Sequence, residues 1–193
     1  MSHSPCYVRP AAAQDLHQLA EVLTSSFYPP LGWWRWLYPA LRFGIYADLK
    51  QRLQGGATHY TCLAAIADKT DSAEEWVVGT VEISCRHRNP WRITSRKHLY
   101  LSNLAVRANC RRQGIARQLL QGCEQRAGQW GFHEIYLHVM EDNARARHLY
   151  QAMGYHVHRV EITLWSLLIP RPRRLLLRKV IPQAAPSPKS PVR

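Results

Sequence analysis

The stretch RRQGIA, Arg111–Ala116, sets two arginines and a glycine directly before an apolar-periodic run. Ile115, Leu119, Leu120, Cys123 and Ala127 fall on one helical face, so the hexapeptide opens a helix. A helix N-terminus carries backbone N–H groups without partners and the positive end of the dipole. Gly114 and Ala116 leave those groups approachable, and Arg111, Arg112 and Arg117 add charge. The stretch reads either as a solvated turn or as a seat for a polyanion. Two phosphate loops are excluded, because the chain contains neither GxxxxGK[ST] nor GxGxxG.

His98 to Val106 is an apolar run of strand length that feeds the hexapeptide, and Gly131 is placed to end the helix after it. Ile135 to Met140 reads as a strand, and Asn143 as the N-cap of the helix ARARHLYQAM, which stops at Gly154. Tyr155 to Leu164 and Leu175 to Ile181 are further strands. Upstream, Tyr7 to Arg9 is a short strand, and Leu16, Leu19, Ala20 and Leu23 share a helical face. Tyr60 to Ala67 and Trp76 to Ser84 form a hairpin about the polar turn DKTDSAEE. Between that helical face and the hairpin lies the aromatic block GWWRWLYPALRFGIY, residues 32–46. The order is β-α-α-β-β-β-α-β-α-β-β, a mixed α/β domain without internal repeats.

The chain of 193 residues is long enough for one well-buried domain. Its 26 Lys+Arg against 13 Asp+Glu give a formal charge of +13, a field that attracts nucleotides, RNA, ribosomes or anionic lipid without choosing among them. Binding to DNA is not expected. Cys6, Cys62, Cys85, Cys110 and Cys123 are odd in number and never spaced as CxxC, which fits reduced thiols. Ten histidines form no HExxH and no matched cluster, so no metal site is expected. No apolar run approaches membrane-spanning length and MSHSPCYVRPAAAQD lacks a secretory pattern, so the expected location is the cytoplasm.

Arg-x-x-Gly-x-Ala after the strand LSNLAV resembles the pyrophosphate loop [Q/R]-x-x-G-x-[G/A] of the GNAT superfamily, acetyl-CoA-dependent N-acetyltransferases. IYLHVMEDNARARHLYQAMGY is similar to the strand and helix that follow that loop in the family, and the resemblance covers about residues 6–181. It implies an α/β GNAT fold, with a mixed central sheet splayed between its fourth and fifth strands and helices on both faces. Residues 1–181 would form one acetyltransferase domain and 182–193 a flexible Pro/Ser-rich tail.

The resemblance also implies roles. Backbone groups of Leu104, Ala105 and Val106 would pair with the pantetheine arm of acetyl-CoA, with an amide near Val106 as oxyanion donor. Arg111, Arg112, Gln113, Gly114, Ile115, Ala116 and Arg117 would hold the pyrophosphate, and Asn143, Ala144 and Arg145 the opposite wall. Asn143 is expected to be a helix cap as well. Tyr150 would protonate the departing coenzyme A sulfur and also contact the cofactor; from its neighbours alone it reads as core.

Tyr100 and His138 match the Tyr/His pair of some protein N-terminal acetyltransferases, as candidate base pair, and His138 reads equally as a hydrogen-bonded strand residue. Glu82 is the reserve base. That pair favours protein or peptide acceptors, N-terminal amines or lysines. The long basic aromatic insert is similar to those of cyanobacterial and plastid acetyltransferases. The subgroup's tyrosine-rich substrate loop is replaced by LWSLLIPRPRRLL, with Trp165 and arginines, so the acceptor lip is built differently. Trp33, Trp34 and Trp36 belong either to that lip or to helix packing. Two other readings stay open: acetylation of a small-molecule amine, and a basic protein that contacts ribosomes or anionic membrane surfaces.

Overall fold

A computed structural model describes residues 6–28, 36–69, 72–87, 97–161 and 172–182. The elements are β1 (Cys6–Pro10), α1 (Leu16–Phe27), α2 (Tyr38–Gln54), β2 (Tyr60–Lys69), β3 (Ser72–His87), β4 (Lys97–Val106), α3 (Ile115–Gln129), β5 (Glu134–Met140), α4 (Ala144–Ala152), β6 (His156–Glu161) and β7 (Arg174–Val180). Their order is the one expected from the sequence. The hairpin is longer than expected: the ladder continues through Asp68↔Glu75 and Lys69↔Ser72, with a register shift that takes up the polar stretch. Trp33, Trp34, Trp165 and residues 183–193 lie outside the described residues.

The strands form one sheet in the order β1-β2-β3-β4-β5-β7-β6. Pairing is antiparallel except between β4 and β5, which run parallel. That parallel contact consists of Leu99↔Ile135 and Tyr100↔Tyr136. Beyond Tyr100, β4 follows β3 as far as Val106↔Gly79, while β5 follows β7 as far as Met140↔Arg174. The sheet therefore forks, and the fork is where the two halves of the candidate site meet.

Side chains alternate between the two faces with the period of a strand. Leu63, Ala65, Val81, Ile83, Leu99, Leu101, Ile135, Leu137 and Val139 pack with Ile115, Leu119, Leu120 and Cys123 of α3 and with Tyr150 of α4. Cys62, Ala64 and Ile66 point to the other face, against Leu16, Leu19, Leu23 and Leu49 of α1 and α2. At Gly79 a Cβ would stand 3.1 Å from the Ala105 carbonyl and 3.2 Å from Ile115 and Leu119, so its absence lets α3 lie close to the fork. The helix-packing reading fails at one position of the aromatic block: Trp36 is 90% exposed.

Candidate active site

The loop between β4 and α3 leaves backbone amides and cationic side chains open to solvent. Arg112 and Gly114 both adopt positive φ, 68° and 82°, which turns the chain sharply before the helix starts. Gly114 is the N-cap of α3, with no side-chain cap and no acidic residue in the first turn. The N-terminal amides are thus left to an external acceptor. Arg111, Arg112, Gln113 and Arg117 are exposed around them, Ala116 is half-buried, and buried Ile115 pins the turn to the core. A Cβ on Gly114 would meet no atom within 4 Å, so the space in front of the loop is open. The Arg111 side chain donates to the Val106 carbonyl at 3.1 Å and ties the loop to the end of β4. These features fit a pyrophosphate.

Leu104, Ala105 and Val106 line the β4 edge of the fork, where β5 no longer pairs with them. Asn103 stands at φ 55° beside a register shift between β3 and β4, and its side-chain amide donates to Glu82 Oε1 at 2.7 Å. Glu82 is 1% exposed, and its Oε2 accepts from Arg52 at 2.6 Å and Tyr60 at 3.1 Å. Burial, with the Glu82 charge next, drives the Tyr60 phenol far above its ordinary range. The expected reserve base is thus held by three donors and joins α2, β2 and the β4 irregularity into one unit.

On the β5 edge, Tyr100 Oη and His138 Nδ1 are 2.7 Å apart, and His138 Nε2 is 2.9 Å from Glu161 Oε1. The Arg86 guanidinium covers the Tyr100 ring at 4.0 Å. Burial holds the His138 pKa below its ordinary value, with Arg174 and Arg86 acting in the same direction and Glu161 against it. Tyr150 approaches from the α4 side. Burial pushes its phenol up to about 12, and Tyr100 adds to the shift, so the two phenols lie within electrostatic reach. The Tyr150 ring meets Tyr155 edge-on at 5.9 Å. Asn143 caps α4 by accepting from the Ala146 amide at 3.1 Å, and exposed Ala144 and Arg145 follow it. Among the described residues no His, Cys, Asp and Glu cluster could hold a metal.

The fork therefore brings together Tyr100, His138, Tyr150 and the edge Leu104–Val106, with the anion loop beside them. Sequence reading missed Glu161, Arg86 and Asn103. Glu161 falls within the expected strand Tyr155 to Leu164 but in no motif, and the strand order β5-β7-β6 carries it toward His138.

Comparison with known proteins agrees with this fold. The profile of the acetyltransferase (GNAT) family matches residues 17–155. The chain belongs to that family. It is 34% identical over 127 residues to GCN5-related N-acetyltransferase 10, chloroplastic, of Arabidopsis thaliana, a match covering 62% of this chain and 49% of the relative. The chain spans about half the length of the curated relatives it matches. Among solved structures, Arabidopsis thaliana NAA60 in complex with acetyl-CoA superposes with a TM-score of 0.65 at 19% identity, over 92% of this chain and 100% of that one. A chain of the NatC complex bound to Gag peptide and CoA gives 0.65 at 16% identity, over 92% and 99%. At these identities the likeness establishes the fold.

Proposed function

We propose that the protein transfers an acetyl group from acetyl-CoA to a primary amine of a protein, foremost the N-terminal α-amine and also lysine. The observation that carries this reading is the 2.7 Å contact between Tyr100 and His138 at the point where β4 and β5 part. An attacking amine must be neutral, and an α-amine, with a pKa of about 8, loses its proton to a modest base. A lysine, near 10.4, asks more of the same pair. The solved neighbours crystallised with a peptide or a bisubstrate analogue support an acceptor of this kind.

Acetyl-CoA supplies the thioester carbonyl when bound. The amides from Arg112 to Arg117 hold its pyrophosphate, the β4 edge from Leu104 to Val106 aligns its arm, and Asn143 to Arg145 form the far wall. An amide near Val106 faces the developing oxyanion. Tyr150, whose phenol carries its proton at neutral pH, gives that proton to the departing sulfur. Five free cysteines suit a reducing compartment, the cytoplasm being the one proposed.

Incubation with acetyl-CoA and a peptide library, read by mass spectrometry, tests the acceptor. Acetylated N-termini, with or without lysines, are expected. Turnover confined to small-molecule amines overturns the reading.

A further inference from the structure

We propose that Glu161 is a positioning residue for acetyl transfer: its carboxylate fixes His138 in the Nε2–H tautomer, so that Nδ1 accepts the Tyr100 hydroxyl and the Tyr100 oxygen is the atom that meets the amine. This rests on the reading that Tyr100 and His138 handle the amine proton.

An ionised carboxylate only accepts, so the His138 nitrogen 2.9 Å from Glu161 Oε1 carries the proton. A neutral imidazole has one N–H, which leaves Nδ1 bare. The partner 2.7 Å from Nδ1 is the Tyr100 hydroxyl, which can donate. Both ring nitrogens are then engaged, and Glu161 is taken up by His138 and Arg174. Of the Tyr100–His138 pair, the phenol oxygen keeps a lone pair to offer the amine.

The surroundings keep the ring neutral at rest and stabilise it once charged. Tyr100 of β4, Glu161 of β6, Arg174 of β7 and Arg86 of β3 face His138. The two guanidiniums and burial oppose a resting imidazolium. Glu161 Oε2 stands 3.8 Å from Arg174, its partner across the β6–β7 ladder, so the carboxylate presents one oxygen to each neighbour. Glu161 reaches His138 across β7, since the strand order is β5-β7-β6.

Proton transfer follows this chain. As the C–N bond forms, the amine proton passes to the Tyr100 oxygen and the Tyr100 proton to Nδ1; the imidazolium is stabilised by Glu161. The C–S bond breaks and the sulfur takes the Tyr150 proton. Return of the His138 proton to Tyr150 through water resets the site. The arrangement parallels the way a carboxylate orients the histidine of a serine hydrolase.

The test joins a substrate-free readout to a kinetic one. Nitrogen-15 NMR of the imidazoles, with His138→Gln identifying the resonance, is expected to show the Nε2–H tautomer in the wild type and a tautomer mixture in Glu161→Gln. With an accepted peptide, Glu161→Gln should lower kcat about tenfold to a hundredfold, the scale known for removing the hydrogen-bond partner that orients a metal-bound histidine. Acetyl-CoA affinity should stay within about twofold, and Glu161→Asp should recover part of the rate. The acid limb of kcat/KM should move to lower pH, because the carboxylate raises the His138 pKa. An Nδ1–H tautomer in the wild type, or an acid limb unmoved in Glu161→Gln, overturns the proposal. A wild type with the expected tautomer that acetylates no peptide would instead overturn the acceptor reading alone.

Discussion

The two sides of the fork are made of different materials. On the side proposed to hold the cofactor the features are backbone ones: two positive φ angles, an uncapped helix start and a strand edge released by its neighbour. On the acceptor side it falls to side chains at 100, 138 and 161, which meet only because the strand order brings β4, β5 and β6 near one another. Backbone geometry depends on glycine and small residues at short spacing, so a hexapeptide can announce it. A side-chain constellation depends on topology. Substitutions on each side should therefore fail differently, the first in binding and the second in turnover.

Tyr150 joins the sides and gives the largest effect expected. Tyr150→Phe should lower kcat about 10²-fold to 10³-fold, the scale of a lost general acid, with acetyl-CoA affinity nearly unchanged. Affinity falling in step with turnover would make the phenol a packing group, as its place in the core beside Tyr155 would allow.

Gly114→Val attacks the backbone side. The native φ of 82° costs an L side chain about 1–2 kcal/mol, and a branched Cβ would enter the open space before the amides. Calorimetry should show acetyl-CoA binding weakened about a hundredfold, as two charge-assisted hydrogen bonds of about 1.5 kcal/mol each would require. Unchanged affinity would refute the anion loop.

Glu82→Ala should leave binding chemistry in place and loosen the frame. It would strip Asn103, Tyr60 and Arg52 of their common acceptor in a site that is 1% exposed on the Glu82 side. Arg52 can rehydrate, being 35% exposed, so the loss should be about 3 kcal/mol rather than more, measured by urea denaturation. A loss under about 1 kcal/mol would mean that the β4 irregularity at Asn103 holds without the carboxylate.

The same contrast explains what was legible in the sequence. The element order, the α3 stripe of Ile115, Leu119, Leu120 and Cys123, the Asn143 cap and the helix stops at Gly131 and Gly154 are local signals. His98 to Val106 read as one strand, but that its pairing with β5 ends after Tyr100 is a tertiary fact. Tyr100 and His138 were found through resemblance rather than spacing. Glu161 had neither a motif nor a local partner, since its interaction partners His138 and Arg174 lie on other strands. Glu82 looked available in sequence because nothing there reveals that Arg52, thirty residues earlier, reaches it.

The smallest effect is expected at Trp36, and it sharpens the acceptor side where sequence reading was poorest. At 90% exposure the indole contributes little to the fold, so Trp36→Ser should leave stability within about 0.5 kcal/mol. It lies just before α2, in a stretch whose Leu37 and Phe43 are exposed apolar residues too. An apolar group held in water at such a position contributes most when a ligand covers it. The substitution should therefore raise the peptide KM a few-fold, with kcat and acetyl-CoA affinity unchanged, as loss of uniform binding does. A peptide KM equal to that of the wild type would exclude Trp36 from the acceptor lip and leave recognition to the fork itself.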